Sequence, residues 1–244
     1  MEMQAFMKAI FHDTEENGKL EEYKLGFPIG QDKKGEVLLA QKHDKPLTIR
    51  NTCATGVGRT DFLRRLIITL SCLYEKEQAC FFVLSPRDEY GELLRLHSLD
   101  ITVPYIHSKE DLSKAMDTLK ELMRMRATGM GYPRLFIVLD GLEDLPDVPK
   151  NGELSEYRAV YELLSHKPNV DIFTGVDLSK SIFAGYPGVF LGIGNCLVTT
   201  HESGKADVTY VGEDSSLTLP TPMVYPNAPT VGESVKFLNA VPSK

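Results

Sequence analysis

A chain of 244 residues with 42% hydrophobic side chains has enough length and apolar content for one large buried core, which excludes a disordered or fibrous class. Its formal charge of −7 gives no support to a general nucleic-acid-binding surface, and the sequence shows neither a signal peptide nor a membrane span. The four cysteines, Cys53, Cys72, Cys80 and Cys196, make no C-x-x-C pair and no ligand spacing with the six histidines, and the apolar neighbours of Cys72, Cys80 and Cys196 suggest small buried hydrophobes in a reducing compartment.

In chain order, Met3, Phe6, Met7 and Ile10 recur at the spacing of a short amphipathic helix or arm, and an acidic linker follows. Residues 1–25 are therefore expected to be an arm or linker, 26–220 the folded domain, and 221–244 a tail packed on it. Gln31-Asp32-Lys33-Lys34-Gly35 reads as a hairpin turn before Glu36–Ala40. Pro46–Arg50 suggests a strand, and Asp61–Leu73 a helix burying Leu63, Leu66, Ile67 and Leu70. The neighbouring arginines Arg59, Arg64 and Arg65 read as a solvated face of that helix.

Gln78–Leu84 has the continuous apolar character of a central strand. Ser108 is placed to cap a helix in which Leu112, Met116, Leu119 and Leu122 or Met123 repeat through Arg126. Leu135–Asp140 is another apolar strand, and Val170–Thr174 a shorter one with a turn near Gly175. Strand signals at 195–200 precede a late hairpin over Ala206–Leu219, and the prolines from Pro220 to Pro229 predict an irregular ending. Alternation of strands and helices predicts an α/β fold built on a mostly parallel sheet with flanking helices.

Chemistry concentrates at Cys53-Ala54-Thr55-Gly56-Val57-Gly58-Arg59-Thr60, between the strand at 46–50 and the helix at 61–73. Strand, glycine turn and helix is the arrangement of a phosphate-binding loop, G-x-x-x-x-G-K-S/T, whose backbone N–H groups cradle phosphates. Gly58 and Thr60 fit, but Cys53 replaces the first glycine and Arg59 the lysine. A planar guanidinium is a poor substitute for the compact ammonium that reaches the β and γ phosphates. Thr60 is a candidate magnesium ligand through its hydroxyl, or simply the start of the helix.

The second signal is Asp140, the carboxylate that ends an apolar strand. Such an aspartate holds magnesium beside a phosphate loop, and equally it can cap nearby backbone groups. The next residue, where an acid would activate water, is Gly141; Glu143 and Asp144 come later. The candidate nucleotide-binding set is thus Gly56, Val57, Gly58, Arg59, Thr60 and Asp140, with Thr60 and Asp140 as candidate metal ligands and no catalytic residue assigned.

In its ordered elements the chain resembles an FtsK/SpoIIIE-type P-loop domain over roughly residues 26 to 200. The carriers are Phe27-Pro28-Ile29-Gly30-Gln31-Asp32-Lys33-Lys34-Gly35, the altered loop, Ser85-Pro86-Arg87 in place of a D-P-K element, Val103-Pro104, the helix to Arg126, and Phe136–Asp140. This resemblance implies a RecA/FtsK-like P-loop NTPase fold with ATP and Mg2+ as cofactors. Within that family the chain is most similar to the degenerate C-terminal domain of an EssC/EccC-type coupling protein of type VII secretion. The implied function is an interaction or regulatory domain with weak or absent hydrolysis, on the cytoplasmic side of a membrane-associated parent. Implied partners are other ATPase domains of a longer chain, secreted protein substrates, and further copies through the parent, with no nucleic acid favoured. Two alternatives stand beside it: an active Mg-ATP-dependent DNA-translocating motor, and an unconventional ATPase using Arg59 with a displaced acid such as Glu143.

Overall fold

The computed structural model describes residues 2–40, 48–53, 58–95, 100–126, 132–142, 171–177, 196–202, 204–210, 217–226 and 233. Helices α1 (Met3–Asn17) and α2 (Leu20–Gly26) precede a hairpin of β1 (Pro28–Gln31) and β2 (Val37–Leu39). Next come β3 (Thr48–Cys53), α3 (Arg59–Leu73), β4 (Ala79–Leu84), a 3-10 helix (Asp88–Arg95) and β5 (Ile101–Thr102). They are followed by α4 (Lys109–Arg126), β6 (Arg134–Asp140), β7 (Asp171–Asp177), β8 (Cys196–Glu202), β9 (Lys205–Tyr210) and β10 (Thr221–Val224).

These ten strands form one sheet in the order β2-β1-β10-β9-β8-β3-β7-β6-β4-β5. The expectation of a mostly parallel sheet is wrong. Five strands, β2-β1-β10-β9-β8, join one another antiparallel, and only from β8 through β3, β7, β6 and β4 to β5 are the pairings parallel. Connection length explains the difference. Tight turns link β1 to β2 and β8 to β9, and a tight turn can only reverse the chain. The residues of β10 hid behind their prolines; Thr221-Pro222-Met223-Val224 is a strand between β1 and β9.

Continuous apolar runs make the central parallel strands. Every residue of β4, and all of β6 but Arg134, is buried. One face carries an aromatic stack in which Phe81 lies 5.1 Å and Phe173 5.7 Å from Phe136, with Phe27 edge-on to Phe136 at 5.5 Å. Helix α4 has the predicted start: Ser108 Oγ accepts the Asp111 N–H at 3.1 Å, while Leu112, Met116, Leu119 and Met123 turn inward. No helix among the described residues is long and apolar enough to cross a membrane.

At the start of β6, Arg134 donates to the Asp171 carboxylate of β7 through Nε at 2.6 Å and Nη2 at 3.0 Å. Its Nη1 donates to the Tyr74 hydroxyl at 3.1 Å, and that hydroxyl donates to the Lys24 carbonyl at 2.7 Å. The guanidinium also lies over Phe27 and Phe136, so this network ties α2 and the end of α3 to the sheet.

The solvated arginine face predicted on α3 is not there: Arg59 and Arg65 are fully buried, and Arg64 is half-buried. Arg65 sits among Phe62 at 4.5 Å, Tyr225 at 5.5 Å and Phe6 at 5.8 Å, and donates to the Pro28 carbonyl at 3.2 Å. Burial pulls its pKa down, against the pull of Tyr225 and Asp61. The amphipathic α1 is what covers it, with Met3, Phe6, Met7 and Ile10 buried as the spacing predicted.

Attachment of α1 to α2 is expected to loosen in acid. Hydrogen bonds from Tyr23 and Asn17, helped by Lys19 at 3.0 Å, hold the Asp13 carboxyl at about 2. A carboxyl depressed in the folded state stabilises fully above its unfolded value of about 3.9 and loses that contribution as pH falls towards 2. Amide protection in α1, taken relative to the intrinsic exchange rate at each pH, should therefore fall across that window in the wild type, and Asp13→Asn should show the lower protection already at neutral pH.

Candidate phosphate-loop site

Parallel pairing brings the ends of β3, β7 and β6 to one edge of the sheet. The strand entering the loop, β3, and the strand carrying Asp140, β6, are not neighbours; β7 runs between them, with Gly175 paired to both Asn51 and Asp140. Gly56 and Val57 lie outside the described residues, as does Glu143. Gly58 has φ +80°, a conformation that glycine takes without penalty, and its carbonyl accepts the Phe62 N–H to open α3. Arg59 and Thr60 occupy the first turn.

Both side chains turn to Asp140. Thr60 Oγ1 donates to Oδ2 at 2.6 Å, and the Tyr90 hydroxyl donates to the same oxygen at 3.0 Å. Arg59 Nε lies 2.7 Å from Oδ1, an ion pair whose angle is not that of a hydrogen bond. Arg59, Asp140 and Tyr90 are all fully buried. Burial, with Asp140 next in effect, raises the Tyr90 phenol well above its usual range, so it remains a neutral donor.

Gly175 makes the ion pair sterically feasible. A Cβ there would stand 2.7 Å from Asp140 Oδ1 and 2.8 and 2.9 Å from Arg59 Cγ and Cδ. The arginine stem thus lies over the bare backbone of β7 to reach a carboxylate one strand further on. The next residue after Asp140 is equally specialised. Gly141 has φ +69°, and its N–H donates to the Gly175 carbonyl at 3.2 Å. A glutamate at 141 would have to adopt a left-handed conformation that side chains disfavour.

Solved structures share this fold. The chain matches the cytoplasmic domain of the Thermomonospora curvata type VII secretion ATPase EccC at 14% identity and TM-score 0.60, covering 82% of this chain and 26% of that one. EccC ATPases 2 and 3 from the same organism, in complex with a signal sequence peptide, match at 14% and 0.60, over 84% of this chain and 41% of that one. EssC ATPases 2 and 3 from Geobacillus thermodenitrificans match at 13% and 0.61, over 89% and 48%. This chain spans between about a quarter and a half of the length of these proteins. No protein-family model matches the sequence, and no curated protein does.

The fold is therefore the one these ATPase structures share, and the metal such a fold implies can be tested against the residues present. A hydrated Mg2+ needs an accessible carboxylate, because it keeps most of its waters. Asp140 has one oxygen engaged by two hydroxyl donors and the other by a guanidinium, and it is closed to solvent. In this arrangement Mg2+ does not fit.

Of the residues singled out from sequence, Arg59, Thr60 and Asp140 come together, with Gly58 setting the turn. Tyr90 and Gly175 were missed. Gly175 read as a turn residue, yet it lies inside β7. Tyr90 lies in the 3-10 helix after Ser85-Pro86-Arg87, and its place in that segment was the only available signal.

Proposed function

We propose that this chain is an interaction or regulatory domain of a type VII secretion coupling protein, with weak or absent nucleotide hydrolysis. The observation that carries this reading is the buried Arg59–Asp140 ion pair. Removing one partner from such a pair costs about 3–5 kcal/mol. A ligand that had to open it would lose about 10²- to 10⁴-fold in affinity. Gly141, in place of an adjacent acid and left-handed, leaves no residue at that position to activate water.

Likeness of fold supports the secretion assignment, and with it a cytoplasmic position in a longer membrane-associated parent. The partners that follow are sister ATPase domains and segments of secreted proteins, since a relative of this fold was solved with a signal sequence peptide. The formal charge of −7 gives the DNA-motor alternative no support.

Calorimetric titration with Mg-ATP tests the reading. The wild type should give no saturable heat, no thermal shift and no turnover above buffer. Saturable binding that disappears in both Arg59→Ala and Asp140→Ala would overturn it and establish a working nucleotide site.

A further inference from the structure

The misfit between this site and Mg2+ has its own logic, and it rests on the reading just given. Arg59 sits where the loop lysine would be, but its guanidinium lies against Oδ1 of the strand-end carboxylate, whose other oxygen accepts the Thr60 hydroxyl. Thr60 and Asp140 are the two side chains to which a P-loop enzyme assigns the metal. We propose that the Arg59 guanidinium is a built-in substitute for the divalent cation, supplying from within the chain the positive charge that the Asp140 carboxylate needs.

Three features of the site converge on this assignment. The charge pairing is direct, with the Arg59 guanidinium against the Asp140 carboxylate and both inaccessible to solvent. The path is prepared, since Gly175 leaves bare the stretch of β7 that Arg59 Cγ and Cδ cross. The other oxygen, Oδ2, is taken up by hydroxyl donors, with Tyr90 approaching it alongside Thr60. Lysine would place a compact ammonium on an unbranched stem, whereas arginine carries a planar, permanently charged head that tolerates dehydration better. The Arg59–Asp140 pair is then self-sufficient, its positive charge carried by the chain itself and not gained or lost with a nucleotide cycle.

A substitute that is removed should be replaceable by what it replaced. Thermal unfolding with MgCl2 or MnCl2 alone, without nucleotide, compares the wild type, Arg59→Ala and the charge-neutral pair Arg59→Ala/Asp140→Asn. The wild type should ignore both ions. Arg59→Ala should melt lower, and either ion should raise its Tm by about 5 °C or more. The double variant should melt above Arg59→Ala in the absence of metal and show no response to either ion. A folded Arg59→Ala indifferent to both ions overturns the proposal, as does a wild type that responds as strongly. If Arg59→Ala does not fold alone, recovery on refolding in MnCl2 supports the proposal. Failure there counts against it, whether or not the double variant folds. A wild type that binds Mg-ATP sinks the functional reading, whereas a metal-silent Arg59→Ala beside a nucleotide-silent wild type sinks only this inference.

Discussion

Gly175→Ala is expected to cost about 3 kcal/mol, although glycine-to-alanine inside a strand ordinarily stabilises by about 0.5–1 kcal/mol. The sign reverses because the added methyl has no room. It would lie within 2.9 Å of Arg59 Cδ, 2.8 Å of Cγ and 2.7 Å of Asp140 Oδ1. The inner carbons of a fully buried arginine cannot move aside as a flexible tip would, so the ion pair must stretch or the strands must part. Overpacking alone amounts to about 1–3 kcal/mol, and part of the buried pair's coupling is lost as well. The urea midpoint should fall without a change in slope. In an Arg59→Ala background the penalty of Gly175→Ala should shrink; equal penalties in both backgrounds would show that the clash is with the strand and not with the arginine.

Asp171→Ala, on the same strand, should cost about 2–3 kcal/mol for a different reason. It removes both acceptors of the Arg134 fork at 2.6 and 3.0 Å and leaves the guanidinium held by Tyr74 over two phenylalanine rings. The effect falls below that of a sealed pair because the Arg134 side chain keeps 28% of its exposure and water can take over part of its solvation. Arg134→Met together with Asp171→Ala should recover most of the loss in a chemical-denaturation series. No recovery would place the role of Asp171 outside this pair.

The parts of the fold legible in the sequence are those where the signal is local. Phe62 to Leu73 and Leu112 to Met123 repeat at helical spacing, and Leu135 to Leu139 are apolar without interruption. Even the burial of α1 followed from the spacing of Met3, Phe6, Met7 and Ile10. What was not legible depends on strand order. That Arg59 reaches Asp140 requires β7 to lie between their strands and to carry glycine at 175, and no window of the chain contains both facts. Arg65 misled for a related reason: its environment is built by Phe6 and Tyr225 from opposite ends of the sequence, so the neighbouring arginines looked like a wet helix face. The antiparallel half escaped because β10 pairs with β1, and two prolines disguised it as an irregular stretch.

That pairing of β1 with β10 bears on how the chain must come together. The fourth and fifth strands from one edge, β9 and β8, can form a hairpin early, and β1 can close on β2 as soon as both have been made. Neither piece connects to the other until Thr221–Val224 is available to lie between them, with Gln31 opposite Val224. Such a distant contact is slow to form, and until it does both β1 and β9 present unpaired backbone to any other chain nearby. A ribosome would have to release nearly all of this sequence before the sheet could be sealed. A chain stopped before residue 221 would keep its parallel half and expose two open edges, which makes the short segment after Pro220 a guard against association during synthesis as well as a strand.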